Sequence, residues 1–139
     1  MTDAFVGFAQ SPKPSPTAIK LVTSESVQFE FGVAELLSRM TSQAGFEAVF
    51  GSTKKFDFRQ GAKLEFTVGE TVFKGTVSQI NLPKRLIVNT DLHGEVELRF
   101  STKSGPTVAE VVAKANLEPE QRQAWEQEVA ALVLRFRGI

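Results

Sequence analysis

Apolar and polar residues begin to alternate clearly at Ser26, where Val27, Phe29 and Phe31 share one side and Gln28 and Glu30 the other. This is the period of a half-buried strand. Gly32 breaks it, and Val33, Leu36, Leu37 and Met40 then recur at helical spacing, predicting a short amphipathic helix. After a punctuating Gly45, Phe46, Val49 and Phe50 predict a second short helix that ends at Gly51, a residue suited to a left-handed C-terminal cap. Strand-like alternation returns in Phe56 and Phe58, in Leu64, Phe66 and Val68, in TVFKGTVSQI, in Leu86, Val88 and Thr90, and in Val96, Leu98 and Phe100. Turn signals separate these runs: Gln60-Gly61, Gly69-Glu70 with the glycine first as a type II′ hairpin requires, Asn81 to Lys84, and His93-Gly94. After Lys103-Ser104-Gly105, TVAEVVAKA is apolar or small on both sides, as a strand covered on both faces would be.

The chain then changes period. Trp125, Val129, Leu132, Val133 and Phe136 form one apolar stripe, with Glu120, Arg122, Gln123, Glu126 and Gln127 on the other side. Pro119 suits the first helical position, and Arg135 and Arg137 at the far end complement the helix dipole. A helix from Pro119 to Arg137 would run roughly 28 Å, the length of a small sheet. The pattern therefore predicts an α+β domain in which an antiparallel sheet is covered on one face by a long C-terminal helix.

Composition narrows the function classes. At 139 residues the chain can bury one core without disulfides or metal. Sixteen basic and sixteen acidic side chains balance, so no overall field draws nucleic acid or an anionic membrane, and neither is expected as a partner. The absence of cysteine removes thiol nucleophiles and thiolate metal sites and suits a reducing compartment; with no apolar run of membrane-spanning length and no signal-like N-terminus, the cytoplasm is expected. Residues 1–17, with Phe5, Val6 and Phe8 ahead of the proline-rich Ser11 to Pro16, read as a tail and linker, and residues 18–139 as a single domain. Twelve phenylalanines and one tryptophan accompany no tyrosine, so any aromatic site would bind by burial, without phenol hydroxyls to orient a polar group.

Three segments extend this reading: VQFEFGVAELLSRMT, then FKGTVSQINLPKRLIV with Gly75, Val77, Pro83, Arg85 and Leu86, then AWEQEVAALV with Trp125. In order and content they resemble the START-like (SRPBCC, helix-grip) superfamily, and within it the branch similar to the activator of heat-shock protein 90 ATPase. The similarity spans Ser26 to Phe136. Tryptophans that members often carry in the first helix and near the end of the second are here Leu36 or Leu37 and Val49-Phe50. The resemblance implies a curved antiparallel sheet of about six or seven strands gripping the long helix, two short helices after the first strand, and a cavity between sheet and helix. Such cavities often hold hydrophobic small molecules; the heat-shock branch is associated with chaperone binding.

Candidate chemistry is sparse. His93, the one histidine, reads as an exposed turn residue beside Asp91 with no identifiable partner. One histidine and no cysteine leave no expected metal site, no cofactor motif is present, and no serine sits in a nucleophile element, so no catalytic residue is assigned. Glu95 and Glu97 share a strand face that reads as solvated. Lys54, Lys55, Arg59 and Lys63 interleave with Phe56 and Phe58; the rings alternate as core residues, which leaves the basic groups as a candidate surface for an acidic protein. The apolar side chains expected between sheet and helix are Phe46, Phe50, Phe58, Phe66, Phe73, Val77, Val88, Trp125 and Val129. If that space is open, these nine line a pocket of a few hundred cubic ångström for a hydrophobic small molecule; if closed, they form a dry core. The expected function is a non-enzymatic ligand-binding domain. The alternative is a protein-interaction domain similar to the heat-shock activator, with a protein partner, and an enzyme similar to the cyclases of this fold ranks third.

Overall fold

The computed structural model describes residues 17–102 and 106–139, so the tail cluster of Phe5, Val6 and Phe8, the segment Ser11 to Pro16 and the residues Lys103 to Gly105 lie outside the described residues. Seven strands, β1 (Ile19–Phe29), β2 (Ser52–Lys55), β3 (Lys63–Val68), β4 (Thr71–Asn81), β5 (Arg85–Thr90), β6 (Gly94–Thr102) and β7 (Thr107–Leu117), form one antiparallel sheet in the order β1-β7-β6-β5-β4-β3-β2. Two short helices, α1 (Val33–Met40) and α2 (Gln43–Val49), follow β1, and α3 (Arg122–Arg137) closes the chain across the curved sheet. The α+β architecture read from the periodicity is the architecture observed.

Residues two apart along each strand enter one core. Leu64 and Phe66 on β3, Leu86 and Val88 on β5, and Val96 and Leu98 on β6 are all buried, and Phe66↔Phe73, Val77↔Val88 and Val88↔Val96 pair across neighbouring strands on that inner face. The stripe of α3 meets them with Trp125, Val129, Leu132, Val133 and Phe136, all buried. The helix is entered through a 3-10 turn at Pro119–Gln121, closed by a capping box in which the Glu118 N–H donates to Gln121 Oε1 at 3.1 Å and the Glu118 carboxylate accepts from the N–H of Gln121. Thr17 donates to the same carboxylate, tying the start of β1 to the start of the helix.

Four local readings change. β1 begins at Ile19, seven residues before Ser26, because its full length pairs with β7 from Ile19↔Leu117 to Phe29↔Thr107; Leu21 and Val22 are adjacent apolar residues on opposite faces, and that hides the alternation. The strand expected at Phe56 and Phe58 lies instead at Ser52–Lys55, while both rings sit half-buried in an irregular stretch. β7 is fully covered on one face only: Thr107, Ala109, Val111, Ala113 and Ala115 are buried, whereas on the outer side Val112 is buried but Val108, Glu110 and Lys114 are half-exposed. Gly45 does not separate the two helices but lies inside α2, where a Cβ would overlap the Arg39 carbonyl; the missing side chain lets α1 and α2 approach.

Candidate functional site

The side chains expected between sheet and helix do converge, with one exception. Phe46 comes from α2 and Phe50 from its C-cap, Phe66 from β3, Phe73 and Val77 from β4, Val88 from β5, and Trp125 and Val129 from α3, and all eight are buried. Phe46 and Phe50 stack at 4.6 Å between centroids, Phe50 meets Phe66 edge-on at 6.4 Å, and Phe66 lies 5.8 Å from Phe73. Phe58 stands at the margin, half-buried and stacked on Phe56 at 6.5 Å, and Phe56 in turn lies 5.6 Å from Phe46. The result is a continuous row of rings running from α2 to β4.

His93 is where the sequence reading and the structure part most. It was expected in an exposed turn; it is fully buried. The turn from Thr90 to Gly94 folds inward, with Leu92 also buried, and the His93 N–H donates to Thr90 Oγ1 at 2.8 Å. Thr90 Oγ1 is also 3.1 Å from His93 Nδ1. Gly94 permits this turn: its φ is +80°, and a Cβ there would overlap the Lys114 carbonyl on β7. The His93 carbonyl accepts from Trp125 Nε1 at 2.9 Å, so the indole donor of α3 is satisfied by the backbone of the same residue. The imidazole ring faces Phe50 edge-on at 6.1 Å. Burial, reinforced by the nearby charge of Arg135, pushes its pKa down to about 3 and keeps it neutral at pH 7. Its Nε2 is buried with no hydrogen-bond partner.

Arg135 supplies a second polar group to this interface. Its Nε donates to the Val49 carbonyl at the end of α2, at 2.8 Å, while its Nη2 is buried without a partner. Desolvation lowers the guanidinium pKa, against an opposing pull from Glu128. These two atoms are the buried side-chain nitrogens or oxygens left unpaired among the described residues. Sequence reasoning missed both. The available hints are a leucine inside the Thr90 to Gly94 turn and a lone indole donor that requires an acceptor; for Arg135 the sequence shows only a charge that complements the helix dipole.

Open space lies on the other side of α3. Thr23 and Glu25 of β1 and Glu126, Val129, Ala130, Val133, Leu134 and Arg137 of α3 line a groove of about 240 Å³. Val129 is the one residue shared by this groove and the ring cluster. Leu134 in this lining is 71% exposed, and Val22 is exposed on the opposite face of β1.

Two of the charged candidates, Glu97 and Arg59, are engaged locally. Glu97, expected on a solvated face, is 3% exposed because Arg85 at 3.3 Å and Arg99 at 3.0 Å cover it on the outer face of the sheet. Its pKa is lowered, first by the hydrogen bond from Arg99. Arg59 grips the Asp57 carboxylate with contacts of 2.6 and 2.9 Å, and Lys63 is exposed. Among the described residues, no three histidine or carboxylate side chains gather as metal ligands, and no helix is long and apolar enough to cross a membrane.

No family model matches the chain, and no curated protein matches it by sequence. Solved structures do match it in shape. A Bacillus halodurans protein superposes with a TM-score of 0.69 at 14% identity, over 88% of this chain and 97% of that one. The fold is of the helix-grip kind. CalU16 from Micromonospora echinospora gives 0.60 at 20% identity, over 89% and 81%. DynU16, known by its place in the dynemicin biosynthetic locus, gives 0.64 at 16%, over 84% of this chain and 45% of that longer one. At these identities the likeness carries the helix-grip architecture and no more.

Proposed function

We propose that this helix-grip domain is a non-enzymatic binder of a hydrophobic small molecule, held between the sheet and α3 by Phe46, Phe50, Phe58, Phe66, Phe73, Val77, Val88, Trp125 and Val129. The observation that carries the reading is the unpartnered Nε2 of His93, buried against Phe50 in the row of rings. A polar atom left unpaired in an apolar interior costs about 1–3 kcal/mol, a cost an ordinary core avoids with an apolar residue. A bound guest that pairs with it removes that cost. The rings, packed on one another, supply the apolar surface such a guest needs once it parts them, and neutral imidazole imposes no charge on it.

Thermal melting against lipids, aromatic polyketides and nucleotides tests the proposal, because a ligand that binds only the folded chain raises its midpoint. Stabilisation by apolar compounds and not by nucleotides is expected. A flat response across the apolar set overturns it.

A second reading, a protein-interaction domain similar to the activator of heat-shock protein 90 ATPase, is favoured by a different observation. Leu134 on α3, which lines the groove, exposes apolar surface there. Recovery of a chaperone in a pull-down from native lysate, lost on Leu134→Glu, would favour it over the first; recovery of none would remove it.

A further inference from the structure

We propose that the groove between β1 and α3 is a docking site for the chain's own N-terminal segment, which seats its Phe5, Val6 and Phe8 cluster there. What the ring row on the α2 side holds does not bear on it. The groove is a void of about 240 Å³ in which buried Val129 and Val133 and exposed Ala130 and Leu134 of α3 face Thr23 and Glu25 of β1. It exists because β1 is an edge of the sheet. α3 packs on β1 and β7, and no strand among the described residues continues the sheet past β1, so the flank of the helix on that side stays uncovered. Leu134 lies on this flank, while the apolar stripe of the same helix is buried.

The direction and length of the missing segment fit the cleft. Thr17 donates to Glu118 where β1 and α3 begin, and Arg137 stands 4.0 Å from Glu25 toward their far ends, so strand and helix run the same way. A chain that turns back at Thr17 follows the cleft between them, antiparallel to β1. Along the helix from Glu118, Val129 and Val133 lie about 17 and 22 Å away. Nine residues separate Phe8 from Thr17, and at about 3.1 Å per residue an extended proline-rich segment reaches about 28 Å. Phe8 therefore reaches the apolar part of the groove with length to spare. On the same scale Lys13 comes level with Glu126, an acid of the groove lining that also pairs with Arg122. The volume agrees too: about 150 Å³ holds a benzene ring, so the groove takes one phenylalanine ring and a smaller neighbour. A short tether keeps its end at an effective concentration on the order of millimolar, which favours this occupant over a second copy or a dilute partner. A protein partner then meets Leu134 only after the segment has left it.

Because the chain has no cysteine, Thr2→Cys gives the full chain a single attachment point for a nitroxide spin label. The expected result in nitrogen-15 NMR is loss of the Ala130 and Leu134 amide signals, with Glu97 on the outer face of the sheet kept. The Ala130 signal should return in Phe5→Ser/Phe8→Ser and in Leu134→Glu. Neither variant threatens folding, since the serines lie outside the described residues and Leu134 is exposed. A loss that survives the serine changes reflects tethering without docking, and no loss leaves the groove to a separate partner; either overturns the proposal. Nitroxide-labelled chains mixed with unlabelled nitrogen-15 chains check the other occupant. Signal loss in that mixture assigns the groove to the segment of a second copy and overturns docking within one chain.

Discussion

Two arginines two residues apart leave the last turn of α3 on opposite sides, and each belongs to a different kind of surface. Arg137 reaches toward β1, where Glu25 stands 4.0 Å away at the rim of an open groove with both side chains more than half exposed. Arg135 reaches toward α2, into a region packed with rings, where one of its nitrogens is buried unpaired. The β1 side has room and a paired charge; the α2 side has tight packing and two unpaired buried nitrogens. Volume alone would direct attention to the groove. Hydrogen-bond accounting directs it to the closed side, because open volume on a surface costs little and an unpaired buried donor costs the desolvation of a polar group. Substitutions on the two sides should therefore differ in size and in pH dependence.

Trp125 should show the largest effect. It is fully buried and donates to the His93 carbonyl, so Trp125→Ala removes a large core volume and a buried hydrogen bond together. A loss of about 3–5 kcal/mol is expected in urea unfolding, against about 1–2 kcal/mol for Trp125→Phe, which keeps much of the volume and loses the donor. Equal losses would mean that the hydrogen bond, and not the packing, holds α3 on this side.

His93 comes next, and its effect depends on pH. The folded pKa of about 3 lies below the ordinary 6.5, so between these values the unfolded chain takes up a proton that the folded chain does not. Stability therefore falls as pH is lowered from 6.5, with a slope that approaches about 1.4 kcal/mol per pH unit. Glu97 and Glu47 have lowered pKa values and act in the same direction, but only below the usual carboxylate value of 4.5. The window from pH 6.5 to 4.5 thus isolates His93. His93→Phe should flatten the stability curve there while changing stability at pH 7 by about 1 kcal/mol or less, since it removes an unpaired nitrogen as well as the Thr90 contact. A slope that survives the substitution would mean that another group carries the acid sensitivity.

Much of the scaffold was legible before the structure, and the reason is periodicity. The α3 stripe, the two short helices and the strands β3 to β6 each repeat often enough for their buried faces to be read directly. Where two neighbouring residues are both apolar, as at Leu21 and Val22, or a strand is polar, as in Ser52–Lys55, the signal failed. Eight of the nine expected interface residues converge because burial follows the same periodicity. His93 and Arg135 do not follow it. A histidine enters a core only when a turn folds inward around it, and that depends on Thr90 accepting its N–H and on Gly94 clearing β7, both tertiary facts. Arg135 lies at the flank of its stripe, and its burial is decided by the end of α2, a separate element. The polar part of the site was hidden for that reason, while its apolar walls were not.

The smallest effect should come from the groove side, and it closes the comparison. Arg137→Ala removes an exposed pair at the limit of ion-pair distance, so the expected cost is below about 0.5 kcal/mol and vanishes in added salt. Arg135→Ala on the same helix turn breaks a 2.8 Å bond to a backbone carbonyl that its guanidinium covers, and it should cost about 1 kcal/mol more than the Arg137 change, with little response to salt. Measuring both by urea unfolding at low and high ionic strength puts the two sides of α3 on one scale. If the two arginines proved equally dispensable, Arg135 would be as solvated in solution as Arg137.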